Sequence, residues 1–567
     1  MFKQFKREVE TALKKAIEDA GYRVNDLELG ISPFADLATT VCYRIASSYK
    51  VPPDRAAKKI VEAMDTSDMP LIGEVKASGP YINFYTSDRF LTESLRAILK
   101  GDLGFESKDE VIILEHTSAN PDGPLHIGHI RNTVIGDTLA RILRRAGMRV
   151  EVEYYVNDMG RQAALVVLGL ERFELDRSKK IDHAIADVYV KANRLIEENP
   201  ELKSEVDQLI RRYEEGDEEV TARFREAVIL SLEGIRQSLL RLGVDHDLFV
   251  WESDFVRTGD VSKIISWMKE DGSIPLVEKE GALMLDLSEA GFDKEFVLCR
   301  SDGTSIYATR DLAYHRFKAR RGDRVIDVFG ADHKLISSQL SYILGKMGVK
   351  KPEIVIFEFV SLPEGSMSTR EGKFISCDEL IDEVEARARI EVDKRRGDLP
   401  AERRAEIARA VARGAIRYDI VKVSPEKPTV FDWDKALDFE KQSAPYLQYA
   451  HARCCSILRK VGGWDVREEE ISAIPLDLLR TDQEIKLIKM LSKFSYIIEE
   501  AARTLKPNLL ATYAKDLVDS FNLFYRDCPV LDAEDDLRKA RLALVEATRI
   551  ILSETLETLG IEALEEM

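Results

Sequence analysis

The chain has 567 residues, 45% hydrophobic and 32% charged, the make-up of a soluble protein with ample core and room for about four domains. Its formal charge of −18 argues against a non-specific nucleic-acid binder, whose affinity rests on neutralising phosphates, but not against a specific one that works through local charge. Six cysteines (Cys42, Cys299, Cys377, Cys454, Cys455, Cys528) without a Cys-x-x-Cys pair indicate neither a disulfide framework nor a zinc ribbon, and no apolar run approaches the ~18 residues of a membrane span, so a cytoplasmic protein is expected.

Residues 1–105 read as a small α/β module: an amphipathic helix to Ala20, helices around 36–49 and 54–64, and a strand at 80–85. Gly101 and Gly104 mark a linker. From 106 to 382, apolar strands at 111–114, 150–155, 325–330 and 354–359 alternate with helical stretches, the pattern of a doubly wound parallel sheet. Long charged helical segments interrupt it between about 168 and 245, which predicts an insertion. Residues 383–443 read as a helical connecting region and 444–567 as an all-α bundle, with amphipathic runs at 402–423, 444–461, 482–505 and 536–559. The basic tract from Lys394 to Lys422 is either a solvated helical face or an electropositive patch.

The segment Asn120-Pro-Asp-Gly-Pro-Leu-His-Ile-Gly-His129 lies between the strand at 111–114 and a helix, giving strand, turn and helix in that order. His126 and His129, three residues apart in the first helical turn, project to one side, where free backbone N–H groups and the helix dipole favour a phosphate. Gly128 between them lets a flat base approach the backbone. A surface pair or half a metal site is the alternative; no Cys or Glu completes a zinc set and the chain has eight His in all, so the phosphate reading leads. Ser118-Ala-Asn-Pro-Asp-Gly-Pro-Leu-His-Ile-Gly-His129 resembles the signature of class I aminoacyl-tRNA synthetases in its arginyl version.

Further along, Tyr307 and Asp311 stand four residues apart on one helix face. A carboxylate grips a guanidinium through two parallel hydrogen bonds, which lysine's ammonium cannot match. The resemblance implies that Tyr307 and Asp311 hold a substrate guanidinium, that Glu252 is a further carboxylate, and that Asn120, with Glu115 beside it, takes the amino acid's polar end. His333 and Gln339 follow a strand end where open sheets bind ligands, although the family usually has Gln where His333 stands. Ser366-Met367-Ser368-Thr369-Arg370 is similar to the family's Lys-Met-Ser-Lys-Ser loop with both lysines missing; Met367 and Ser368 would touch ATP, and Arg370 and Lys373 would supply the charge for its phosphates. Residues 439–453 resemble a marker peptide of the arginyl family, and Tyr525 and Met567 are the candidates for unpaired anticodon bases. The resemblance implies an arginine–tRNA ligase that works as a monomer. It would use ATP with Mg²⁺ on the phosphates and no protein-bound metal, L-arginine and the tRNA for arginine. Activation would await tRNA, and the N-terminal module would touch the tRNA corner.

Overall fold

The computed structural model describes residues 1–301, 304–362, 375–463 and 466–567. The opening helix Phe2–Asp19 buries Phe2, Phe5, Val9, Leu13, Ala16 and Ile17 along one stripe, the i, i+3, i+4 spacing of an amphipathic helix. Together with helix Pro53–Glu62 it packs on an antiparallel sheet of β1 (Leu29–Gly30), β2 (Leu37–Thr39), β3 (Ile72–Ser78) and β4 (Tyr81–Thr86), ordered β1-β2-β4-β3. The helix expected over 36–49 is instead strand β2 followed by helix Val41–Tyr49. Thr39 makes the break: its Oγ1 accepts from Val41 N at 3.0 Å and donates to the Leu27 carbonyl, a local alternative to helical bonding in a β-branched run.

The central sheet takes β5 (Val111–Glu115), β6 (Arg149–Val156) and β7 (Leu248–Trp251). After an antiparallel annex of β8 (Leu276–Lys279), β9 (Ala282–Leu285) and β10 (Phe296–Cys299), β11 (Arg324–Gly330) and β12 (Glu353–Phe357) complete it. All five strands are parallel, in the order β12-β11-β5-β6-β7. The chain leaves β5 for β6 on one side and returns to β11 on the other. The crevice beyond the C-terminal end of β5 is therefore the switch point at which such sheets bind ligands. β5 and β11 are near-continuous buried runs, as strands covered on both faces require, except that β11 carries the fully buried Asp327 and β5 ends on the buried Glu115.

The annex has no counterpart in the sequence reading. Its β8–β9 hairpin turns through Glu280 and Gly281, both at positive φ, where an Asn-Gly pair would have advertised the turn and Glu does not. Between β6 and β7 lie helices Arg161–Arg172, Ile181–Glu198, Leu202–Glu214 and Glu218–Arg241, which share an apolar cluster; the first begins ahead of residue 168. Helix Cys377–Arg395 runs across the expected boundary at 382, and the expected helix at 482–505 is two, Asp482–Ser492 and Phe494–Thr504, meeting at Lys493. Leu505, at φ 54, ends the second in the left-handed conformation. Helices Ala401–Val421, Ala444–Lys460, Asn508–Asp527 and Asp535–Thr558 complete the bundle.

The basic tract is largely neutralised rather than an open positive face. Arg396 pairs with Asp398 at 2.9 Å, Arg403 with Glu406 at 2.9 Å and Arg404 with Asp393 at 2.7 Å. Arg417 is wholly buried, donating from Nε to the Leu559 carbonyl at 2.9 Å, from Nη1 to the Leu242 carbonyl at 3.1 Å, and from Nη2 to Asp137 on helix Ile127–Arg145. Gly560, at φ +72, lies so close that an added Cβ would stand 2.1 Å from Arg417 Nη2. The first helix also meets the bundle: the Phe2 and Tyr496 rings are 5.3 Å apart and Lys3 Nζ is 2.7 Å from Glu499. One apolar core therefore runs from Phe2 to Leu564. Among the described residues no helix is long and apolar enough to cross a membrane.

Candidate active site

β5 ends at Glu115, and the chain then passes through Thr117 and Ser118 at φ 71 and 40, a conformation that costs energy for residues other than glycine. A dense set of hydrogen bonds holds it there. Thr117 N donates to Asn132 Oδ1 at 2.9 Å and Thr117 Oγ1 meets Thr133 Oγ1 at 2.8 Å, while Asn132 Nδ2 reaches the Val328 carbonyl of β11 at 3.1 Å. Ser118 Oγ donates to Glu115 at 2.9 Å and accepts from Tyr155 N at 3.0 Å. Asn120 is exposed at the end of this turn, bonded to Gln162 at 2.9 Å and Asn157 at 3.0 Å.

The turn delivers the chain to helix Ile127–Arg145 with His126 as its N-cap. His126 Nδ1 accepts from Gly128 N at 3.0 Å and His129 N at 3.4 Å, and His129 Nδ1 accepts from His126 N at 3.3 Å. The imidazoles stack with centroids 3.7 Å apart and planes 18° apart. Gly128 is required by this packing, because a Cβ there would stand 2.9 Å from the His126 ring. Burial lowers the pKa of both rings, and in His129, helped by His126, to about 3. Each ring is thus neutral near pH 7, and with Nδ1 used as acceptor its proton sits on Nε2. Two uncharged N–H donors stand at the helix N-terminus, where the helix dipole favours an anion although His126 already takes the Gly128 and His129 amides. The segment after residue 374 is tied to the same place by a bridge between His126 and Ser376 and by Cys377 N donating to the Leu125 carbonyl at 2.7 Å.

Beyond the ends of β5, β6 and β11 lies a cavity of about 380 Å³. Its wall includes Glu115, Asn120, Glu252, Tyr307, Asp311 and His333, so the structure brings six expected residues together. His126, Gly128 and His129 are outside that wall, which the helix they open reaches through Asn132. Gln339 is turned away: buried, it donates to the Lys294 carbonyl at 2.7 Å, because its place on helix Lys334–Lys346 faces the annex. Tyr307 is exposed and Asp311 partly so, one helical turn apart.

Charges behind the wall alternate. Asp311 Oδ1 is 3.2 Å from His315 Nδ1, His315 Nε2 is 2.8 Å from Asp327, and Lys318 Nζ lies 2.6 Å from Asp327 and 2.7 Å from Glu115. Burial and Lys318 work against a charge on His315, yet Asp311 and Asp327 raise its pKa to about 10. Burial also opposes the Lys318 ammonium, and Asp327 and Glu115 overcome it. Glu252 is a different case from Asp311. It is 2% exposed and bound to the buried Arg310 at 2.8 Å, with burial raising its pKa to about 7. Arg310, Asn132 and Tyr155 also line the cavity and were not assigned roles from sequence. The signals were faint: Asp311, His315 and Lys318 form an i, i+4, i+7 stripe, and Asp327 interrupts an apolar strand.

Met367, Ser368, Arg370 and Lys373 lie outside the described residues. Tyr525 is exposed in the bundle, where the Arg453 guanidinium stacks between it, at 4.8 Å, and Tyr449, at 4.7 Å. Met567 lines a separate cavity of about 430 Å³ with Tyr449, Phe439 and Arg395.

Residues 3–86 match the family described as Arginyl tRNA synthetase N terminal domain, 95–433 that described as tRNA synthetases class I (R), catalytic domain, and 447–567 the DALR anticodon binding domain. The chain is 53% identical to the arginine–tRNA ligase of Methanosarcina barkeri and 52% identical to that of Methanothrix thermoacetophila, each across 100% of both chains. Among solved structures it is similar to Thermus thermophilus arginyl-tRNA synthetase, with TM-score 0.85 and 30% identity over 99% of this chain and 100% of that one. With the switch-point cavity and the paired histidines, these likenesses establish that the chain belongs to the class I arginyl-tRNA synthetase family.

Proposed function

We propose that this chain ligates L-arginine to its cognate tRNA in two steps, through an arginyl-adenylate. The arginine carboxylate attacks the α-phosphate of ATP and pyrophosphate leaves; a hydroxyl of the tRNA's terminal adenosine then attacks the carbonyl and AMP leaves. Reactions of this kind are accelerated by positioning and by donors aimed at developing negative charge. Arginine occupies the 380 Å³ cavity, its guanidinium on Asp311 and Tyr307 and its polar end near Asn120 and Glu115. ATP lies at the start of helix Ile127–Arg145, where His126 and His129 donate through Nε2 and Gly128 admits the nucleotide. Arg370 and Lys373 serve the outer phosphates, with Met367 and Ser368 against the nucleotide. Glu252 acts mainly by fixing Arg310, and His333 borders the cavity mouth. Tyr525 and Met567 face the anticodon.

Mg²⁺ is assigned to the phosphates of ATP. Asp182, His183 and Asp378 group like metal ligands, but Lys180 Nζ lies 2.9 Å from Asp182 and 2.8 Å from Asp378, so an ammonium already fills that place and a cation does not fit.

One observation carries the assignment: Asp311 and Tyr307 share a cavity wall with Asn120 at the sheet's switch point, and Asn132 of the helix that His126 caps lines the same wall. Charging assays with bulk tRNA, ATP and each amino acid in turn test it. Arginine alone is expected to be esterified; a folded protein that charges no arginine overturns the proposal.

A further inference from the structure

The entry to the helix that His126 caps is gripped from two sides. On one side, helix Ile181–Glu198 of the insertion touches the preceding turn, where a Cβ on Gly123 would stand 3.1 Å from Ala186 Cβ. On the other, the start of helix Cys377–Arg395 holds the backbone of Leu125 and His126 through Cys377 and Ser376. Ser376 and Glu379 close a capping box there, Ser376 N donating to Glu379 at 2.8 Å. That box joins residues of one turn to each other and does not fix where the turn sits. Beyond the buried seat of Cys377, its place is set by Asp378.

Asp378 is 9% exposed and bonds only to the insertion. Its Oδ2 accepts from Lys180 Nζ at 2.8 Å and from Ser238 Oγ at 3.0 Å and lies 3.3 Å from His183 Nε2, while Oδ1 is 3.3 Å from Arg241 Nη1. Lys180 and His183 stand at the start of helix Ile181–Glu198, and Ser238 and Arg241 in the last turn of helix Glu218–Arg241. Those two helices are themselves in close contact: a Cβ on Gly234 would stand 2.5 Å from Asp182 Cγ, and the buried Asp182 pairs with Lys180 at 2.9 Å. Burial opposes the charge on Asp378, and the hydrogen bonds from His183, Lys180 and Ser238 outweigh it and hold the carboxyl well below the usual carboxylate range. Charge-assisted bonds of this kind are directional as well as strong, so a carboxylate met by four donors has one place to sit. Apolar packing alone would allow the turn to slide.

We infer that Asp378 is a positioning residue for arginine activation: through Ser376 and Cys377 it sets where Leu125 and His126 stand, and so where the His126 Nε2 donor meets ATP. The inference rests on the reading of His126 as that donor. It is tested in the full-length protein by steady-state charging at saturating tRNA, with Asp378→Asn, His126→Ala and the two combined. Asparagine keeps the shape and leaves Lys180 to Asp182 and Arg241 to Asp382 and Glu385. A catalytic group displaced by about 1 Å can cost about 10²-fold, so Asp378→Asn is expected to lower kcat on the order of 10- to 100-fold. KM for arginine is expected to stay within about twofold, because Asp378 lies outside the cavity wall. In the His126→Ala background the same change is expected to cost less than about twofold, since no imidazole is left to misplace. If Asp378→Asn does not fold, Ser238→Ala takes its place; it removes one donor, leaves every charge paired, and is expected to give a smaller fall in kcat with the same split. Unchanged kcat in the folded variant, alongside an impaired His126→Ala, refutes the positioning role and leaves the donor reading standing. Full activity in His126→Ala removes that reading and the inference with it. Effects that multiply in the double variant, or an arginine KM that moves with kcat, make Asp378 a structural residue and likewise overturn the inference.

Discussion

Arg417 joins three parts of the molecule, and Arg417→Met tests how much it contributes. Methionine replaces the buried stem and deletes the guanidinium. Asp137 then keeps only Arg141, at 2.7 Å, and the carbonyls of Leu559 and Leu242 lose their donor. Removing one partner of a buried ion pair costs about 3–5 kcal/mol, the lower end applying because Arg141 remains, and each carbonyl adds about 1 kcal/mol. The expected loss is about 5 kcal/mol, or more than three orders of magnitude in local opening. A chain of this size does not unfold in one step, so the readout is native-state hydrogen exchange in helices Ala401–Val421 and Asp535–Thr558. Adding Asp137→Asn closes a double-mutant cycle, in which the second change is expected to cost far less once Arg417 is gone. Protection that falls less than tenfold, or strictly additive effects, would refute the reasoning.

His129→Ala is expected to lower pyrophosphate exchange by roughly 10² to 10³, the scale of losing one transition-state donor; full activity in a folded variant contradicts the donor role. Gly560→Ala is expected to destabilise the bundle, since it forces a side chain at φ +72 into the Arg417 guanidinium, and an unchanged thermal midpoint would contradict that packing. His315 retains its proton in the folded protein to a pKa of about 10, against about 6.5 when unfolded, so its stabilisation is complete below about pH 6.5 and is lost as pH rises through 10. Urea titrations between pH 6 and 10 should show that decline in the wild-type protein and a flatter profile in His315→Gln; identical profiles count against the network.

What the sequence disclosed was what neighbouring residues decide among themselves. β5, its turn and the helix behind His126 were legible because an apolar run, two prolines and a helical spacing are local signals. Tyr307 and Asp311 were legible because helical periodicity stacks residues four apart. Tyr155 read as one more apolar strand residue, and its place in the cavity wall depends on contacts from a distant helix, whose Tyr314 stacks on its ring. Gln339 was expected in the cavity from its position after β11, but helical rotation turned it to Lys294. The strand at 37–39 hid behind residues that also suit a helix, and its pairing with β4 and β1, together with Thr39's tie to Leu27, settles it.

The contact between the first helix and the bundle bears on how the chain matures. Lys3 and Glu499 are 496 residues apart, so at about 5–20 residues per second a ribosome needs roughly 25 to 100 s to produce the partner after the helix has emerged. Throughout that interval the outer side of Phe2 lacks its cover, an apolar patch on a nascent protein that can meet another chain first. Closure of the two ends is therefore a late event in biosynthesis, and the interval of translation is when that patch is open to other chains.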